Sequence, residues 1–206
     1  RIMRNNGLTI IPMLSNHYSD NFNGKALHRI LHDPAKMERV IRQLIAILQQ
    51  YKFQGVNVDL EELMEKTNEP LVAFQQKLYD SLHSQNLLVT MDVAVFNEDY
   101  NYEKLASCND YLVVMAYDQH NDQGAPGPIS DQHWIEGAIA NLGNKVPAKK
   151  IILGLAAYGY DWPAQSQGEK VSYQEALSRA KENNAVIDFD DDSYNLHFTY
   201  RDDNDV

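Results

Sequence analysis

The run Phe53-Gln54-Gly55-Val56-Asn57-Val58-Asp59-Leu60-Glu61-Glu62 constrains the fold more than any other stretch of this chain. Side chains alternate across a strand with period two. Gly55, Asn57, Asp59 and Glu61 therefore share one face, and Val56, Val58 and Leu60 the other. The apolar face suits a covering layer of helices. The polar face is costly to bury unless its groups are paired. A strand whose polar face ends in an aspartate and a glutamate has the makings of an acid–base site.

The pattern on either side repeats strand and helix in strict alternation. Strands are expected at Leu8–Met13, Val56–Leu60, Leu87–Met91, Tyr111–Tyr117 and Ile151–Leu155. Between them, Asp33-Pro34 opens a helix whose stripe is Met37, Val40, Ile41, Leu44, Ile45 and Leu48. Asn68-Glu69-Pro70 opens a second, with Leu71, Phe74, Leu78 and Leu82 on one side, and helices are also expected at Tyr102–Cys108 and Asp131–Leu142. Asp118–Ser130 reads as a Gly/Pro-rich loop. Such alternation implies parallel strands joined by helical crossovers, and an α/β fold of the (β/α)8 TIM barrel type. Active sites of such barrels lie at the C-terminal ends of the strands, where Asp59, Glu61, Tyr117, Asp118 and Tyr158 are expected.

Five strands are fewer than the eight of a complete barrel. The reading is thus an incomplete barrel over residues 1–159, followed by a small α+β segment over 160–206. In that segment Ser172–Asn183 reads as a helix, and Ala185–Phe189 and Tyr194–Tyr200 as short antiparallel strands.

The formal net charge of −11 over 206 residues disfavours nucleic acid, whose phosphates call for clustered Lys and Arg. It equally disfavours an anionic membrane surface. A neutral polymer such as a polysaccharide is compatible. Cys108 is alone, so no intrachain disulfide forms. There is no phosphate-binding loop, dinucleotide fingerprint, G-x-S-x-G or H-E-x-x-H.

Gly55-Val56-Asn57-Val58-Asp59-Leu60-Glu61 resembles the D-G-x-D-x-D-x-E signature of family-18 glycoside hydrolases, the chitinase-like enzymes. Met115-Ala116-Tyr117-Asp118 resembles their M-x-Y-D, and Gly154-Leu155-Ala156-Ala157-Tyr158-Gly159 their G-L-P-x-Y-G. The three stand in the family's order across about half the chain. Tyr117-Asp118-Gln119-His120 with Pro126-Gly127-Pro128 is most similar to bacterial members of the spore-cortex, LysM or deacetylase-fused kinds. By this resemblance the visible strands are the third to the seventh, and residues 160–206 are the insertion that follows strand seven.

The resemblance implies hydrolysis of β-linked N-acetylglucosamine polymers, peptidoglycan or chitin-like, with substrate assistance and retention. It implies Glu61 as general acid, Asp59 as the group that holds the 2-acetamido substituent, and Tyr117 as a hydroxyl donor to its carbonyl. Asn57, Met115, Asp118, Tyr158, Asn16 and Asp92 are candidate substrate-binding residues. No metal or cofactor is expected for this chemistry. The remaining expectations are an extracellular or cell-surface location and further modules in a longer chain.

Two positions depart from the pattern. Asn57 stands where most members carry Asp, and Gln54 where the motif opens with Asp. They keep open an alternative, a carbohydrate-binding module with the barrel retained and turnover weak or lost. Tyr160 and Trp162 are further rings suited to a sugar face. His28 and His32 lie four apart, the spacing of helical zinc ligands, but no third ligand is apparent in the sequence and an exposed pair is expected. Asp188–Asp192 begins like a calcium loop, lacks its turn glycine and closing Glu, and reads as a solvated acidic turn.

Overall fold

The computed structural model describes residues 6–19, 21–164 and 166–201. In chain order the elements are β1 (Met13–Ser15), β2 (His17–Tyr18), β3 (Asn21–Phe22), α1 (Gly24–Leu31), α2 (Pro34–Tyr51), β4 (Gly55–Asp59), α3 (Glu69–His83), β5 (Leu88–Ala94), α4 (Tyr102–Ser107), β6 (Tyr111–Met115), α5 (Gln132–Gly143), β7 (Ile151–Gly154), β8 (Tyr158–Asp161), β9 (Glu169–Ser172), α6 (Tyr173–Glu182), β10 (Asp188–Asp190) and β11 (Asn195–His197). The chain packs as two compact units, Arg1–Met115 with Leu142–Leu153, and Ala116–Asn141 with Gly154–Val206.

The first unit is built on a five-stranded parallel sheet in the order β1-β4-β5-β6-β7. Sequential parallel strands joined through helices are the arrangement of part of an α/β barrel. The helices carry the caps their sequences call for. Asp33 Oδ1 accepts the amides of Ala35 and Lys36 ahead of α2, and Asn68 Oδ1 accepts that of Leu71 ahead of α3. Met37, Ile41, Leu44 and Leu48 of α2 and Leu71, Phe74, Leu78 and Leu82 of α3 are buried. Val56, Val58 and Leu60 are buried in the same core.

Gly55 is fixed by the sheet. A Cβ there would lie 2.3 Å from the Leu88 carbonyl oxygen, so only glycine lets β4 approach β5 this closely.

Every expected strand differs from the sequence reading at one end or both, β10 and β11 shortening to Asp188–Asp190 and Asn195–His197, and three of the shifts bear on the candidate site. The first strand is Met13–Ser15, not Leu8–Met13. Pro12 has no N–H to donate; its carbonyl instead accepts the Asn57 amide, and the ladder with β4 starts at Met13. β5 runs past Met91 to Ala94, carrying Asp92 inside the sheet. β6 stops at Met115, and Asp118 beyond it is left-handed at φ 59°.

In the second unit β8 pairs antiparallel with β9, and β10 with β11. α6 opens with a reciprocal capping box between Ser172 and Glu175. Asp190 of the acidic turn accepts the Ser193 hydroxyl at 2.6 Å and the Asp192 amide at 3.0 Å. That carboxyl lies below its usual range chiefly through the Ser193 bond.

Candidate functional site

In the first unit the register between β4 and β5 aligns Asn57 with Thr90 and Val58 with Met91. One step further, it places Asp92 opposite Asp59. On the other side Ser15 is the partner of Asp59. The polar face of β4 thus meets polar groups from both neighbouring strands. Asn57 accepts the Thr90 hydroxyl at 2.6 Å and donates to Asp92 Oδ2 at 2.7 Å. Both functions of its amide are in use.

Asp59 and Asp92 are both buried, at 9% and 7% exposure. Burial, opposed by the Asn57 hydrogen bond and reinforced by the charge on Asp59, pushes Asp92 up to about 6. Burial also raises Asp59; the Ser15 hydrogen bond and the charge of His17 act against it. Asp59 Oδ1 is buried and has no hydrogen-bond partner. A buried carboxylate oxygen left without a donor is uncommon and costly.

Glu61 lies two residues beyond the last residue of β4 and is half-buried. Its backbone is clamped at both ends by one side chain. Asn16 Nδ2 donates to the Glu61 carbonyl at 2.9 Å, and the Glu61 amide donates to Asn16 Oδ1 at 3.0 Å. The buried Tyr100 hydroxyl donates to the Leu60 carbonyl at 2.9 Å. Burial first, then the charges of Glu61 and Asp59, hold that phenol far above its usual range, so it remains a donor at any working pH. Met115 ends β6, half-buried, aligned with Ala94 of β5.

Asn16, Asn57, Asp59, Glu61 and Asp92 are thus gathered around the C-terminal end of β4. The sequence reading did not single out Ser15, Thr90 and Tyr100. For Ser15 and Thr90 the signal was a hydroxyl at a strand end or in an apolar strand, visible only once the register is known; Tyr100 lies in the loop before α4 and carried no such signal. Gln54, the other departure from the motif, works away from this cluster. Its Oε1 accepts the Ile10 amide at 2.7 Å and its Nε2 donates to the Lys52 carbonyl, so it ties the incoming chain to β4.

The second unit holds the other candidates. Asp118 Oδ1 accepts two hydroxyls, from Tyr158 at 2.6 Å and from Tyr160 at 3.0 Å. Burial and the Asp118 bond keep both phenols well above their usual range. The Tyr117 ring meets the Tyr158 ring edge-on with centroids 6.4 Å apart, and Lys170 Nζ stands 4.1 Å over the Tyr158 ring. Trp162 packs on Tyr160 and donates its indole N–H to the Asn121 carbonyl at 2.9 Å. Tyr158 was expected at the end of a barrel strand. It instead begins β8, four residues after β7 ends, because the chain turns there into an antiparallel pair.

Comparison with known proteins agrees with this architecture. The chain is 26% identical over 200 residues to the uncharacterized glycosylase YvbX of Bacillus subtilis, covering 90% of this chain and 58% of that protein. It is 25% identical to the cortical fragment-lytic enzyme of the same organism, covering 98% of this chain and 50% of that protein. The chain therefore spans about half the length of the curated relatives it matches. Among solved structures, the chitinase from Chromobacterium violaceum superposes with a TM-score of 0.89 at 25% identity, covering 97% of this chain and 65% of that one. The protein ydhD from Bacillus subtilis has the same fold, with a TM-score of 0.93 at 24% identity over 98% of this chain and 72% of that one. Residues 2–206 match the glycosyl hydrolases family 18, and the chain belongs to that family.

Proposed function

We propose that the protein hydrolyses β-linked N-acetylglucosamine polysaccharide, peptidoglycan or chitin-like, with assistance from the substrate's own acetamido group. The observation that carries this reading is the Asp59 carboxyl. It is buried at a strand end, raised by burial, and keeps one oxygen with no donor. An incoming amide N–H is the donor such an oxygen lacks. In this reading Asp59 accepts the acetamido N–H and orients the acetamido oxygen toward the anomeric carbon. Glu61 protonates the glycosidic oxygen as the bond breaks, and the cyclic intermediate is opened by water with Glu61 as base. The clamp of Asn16 on the Glu61 backbone serves positioning. Asn57 and Asp92 support Asp59 from the neighbouring strand.

Tyr117 as donor to the acetamido oxygen rests on the family motif alone. Tyr158, Tyr160 and Trp162, braced by Asp118, suit a sugar face. The visible barrel strands are proposed as the third to seventh, with 160–206 as the insertion after strand seven. A cell-surface or extracellular location is proposed from the substrate class alone, and further modules in a longer chain are proposed beside it. No helix among the described residues is long and apolar enough to cross a membrane.

The test is release from a chromogenic N-acetylglucosamine oligomer by the full-length protein, beside Glu61→Gln. The expected loss in the variant is about 100-fold or more. An oligomer with its acetamido groups removed should bind and not be cut. Equal turnover by Glu61→Gln rules out Glu61 as the acid. Binding without release by the wild-type protein supports the alternative of a carbohydrate-binding module, which the substitution of Asn57 for the usual aspartate motivates.

A further inference from the structure

We propose that His28, His32 and Glu65 form a zinc site that staples α1 to the loop following Glu61. The two histidines share one face of α1 and its C-cap, one turn apart. The sequence offered no third ligand; the loop supplies it. One donor atom from each of the three residues lies within 4.8 Å of the other two.

Three observations favour a metal over a plain ion pair. First, the distances are too long for hydrogen bonds. Glu65 Oε2 is 3.4 Å from His32 Nε2 and 3.7 Å from His28 Nδ1, whereas an N–H···O bond is about 2.7–3.2 Å. Two ligand atoms on a tetrahedral zinc, each bonded at about 2.0–2.2 Å, are separated by roughly 3.3–3.6 Å. Second, the tautomer of His32 is set. Its Nδ1 lies 2.9 Å from the His28 carbonyl oxygen, which can only accept, so Nδ1 carries the proton and Nε2 presents its lone pair toward Glu65. A backbone carbonyl on the far ring nitrogen is the outer support that zinc-bound histidines ordinarily have. Third, Glu65 Oε2 is buried and has no hydrogen-bond partner.

The loop is shaped to deliver Glu65. Glu62 and Met64 are both left-handed, at φ 58° and 61°. Gly24, the first residue of α1, lets the Glu62 carbonyl come within 2.2 Å of where a Cβ would be. Lys25, His28, Arg29 and Met64 line a shallow cavity beside the site. Two imidazoles and a carboxylate suit zinc among the available divalent ions. The metal would be structural, fixing the segment that begins at the proposed general acid.

The experiment titrates zinc chloride into the intact, chelator-treated protein, followed by calorimetry and by thermal unfolding. The expected result is one zinc per chain and a rise in Tm of several degrees. Glu65→Gln and His32→Ala should each weaken binding by about 100-fold, the upper end of what losing even an outer partner costs. Their Tm in chelator should match the wild type's, which separates lost ligation from lost folding. A cobalt-loaded wild-type sample supplies a measurement that needs no variant. Intense visible bands of a low-symmetry nitrogen–oxygen site are expected. Absence of binding, absence of those bands, or affinity unchanged in both variants overturns the proposal, the last by locating zinc elsewhere on the acidic surface.

Discussion

Asn57 donates its side-chain amide to Asp92 Oδ2 at 2.7 Å while accepting the hydroxyl of Thr90. This bond is charge-assisted only when Asp92 is ionised, yet burial lifts Asp92 to about 6. Burial outweighs the amide. The folded-state pKa is above the ordinary value of 3.8, so the protonated acid is the form the fold favours. Its contribution to stability is complete below pH 3.8 and is lost as pH rises through about 6. The gap corresponds to about 3 kcal/mol. Asp92→Asn should remove that loss, so that urea unfolding between pH 4 and 7 shows a flatter profile than the wild type. A profile with the wild-type slope would mean that the fold leaves the Asp92 carboxyl in its ordinary range.

Asp59 should show opposite effects on stability and activity. Its unpartnered Oδ1 costs about 1–3 kcal/mol, the desolvation of a buried polar atom. Asp59→Asn removes the buried charge while keeping an acceptor for the Ser15 hydroxyl. The expected outcome at pH 7 is a midpoint for unfolding at or above the wild type's, with oligomer hydrolysis lower by about 100-fold or more. Loss of stability together with activity would make Asp59 a structural residue.

Gly55 marks a close approach of β4 to the backbone of β5. With a Cβ 2.3 Å from the Leu88 carbonyl oxygen, Gly55→Ala must push β5 away or tilt β4. Overpacking costs about 1–3 kcal/mol, and a backbone partner that cannot rotate away puts this site at the upper end. Circular dichroism melts should show that loss. Hydrolysis measured well below the new Tm should fall too, since Asn57 reaches Thr90 and Asp92 only in this register.

What was legible in the sequence was local. Asp33-Pro34 and Asn68-Glu69-Pro70 announce α2 and α3 because a cap and its helix are neighbours in the chain. The alternation of Val56, Val58 and Leu60 with Asn57 and Asp59 gives β4 its two faces for the same reason. What depended on register or on a backbone twist was not legible. Pro12 withholds the amide that would have extended β1, and Asp92 interrupts an apolar run that the sheet nonetheless continues through. The pairing of Thr90 with Asn57 spans 33 residues, and nothing in either segment names the other. Glu65 reaches His28 and His32 only through left-handed residues, which no periodicity foretells.

Asn16 offers the sharpest separation of positioning from chemistry. It touches the Glu61 backbone and not the carboxylate's reacting end: one amide group closes two hydrogen bonds, at 2.9 and 3.0 Å, around a residue that lies outside regular structure. Asn16→Ala leaves the Glu61 amide and carbonyl to water and frees the side chain's origin to shift. Two neutral hydrogen bonds are together about 1–3 kcal/mol of stability. A displacement near 1 Å at the general acid costs up to about 100-fold in rate. The expected variant therefore folds, binds the oligomer with little change in KM, and loses kcat by about 10- to 100-fold. Asn16→Asp keeps the acceptor for the Glu61 amide and loses the donor to its carbonyl, so its kcat should fall between wild type and Asn16→Ala. If Asn16→Ala instead raises KM and leaves kcat untouched, Asn16 belongs to sugar binding, and the placement of Glu61 is secured by other contacts.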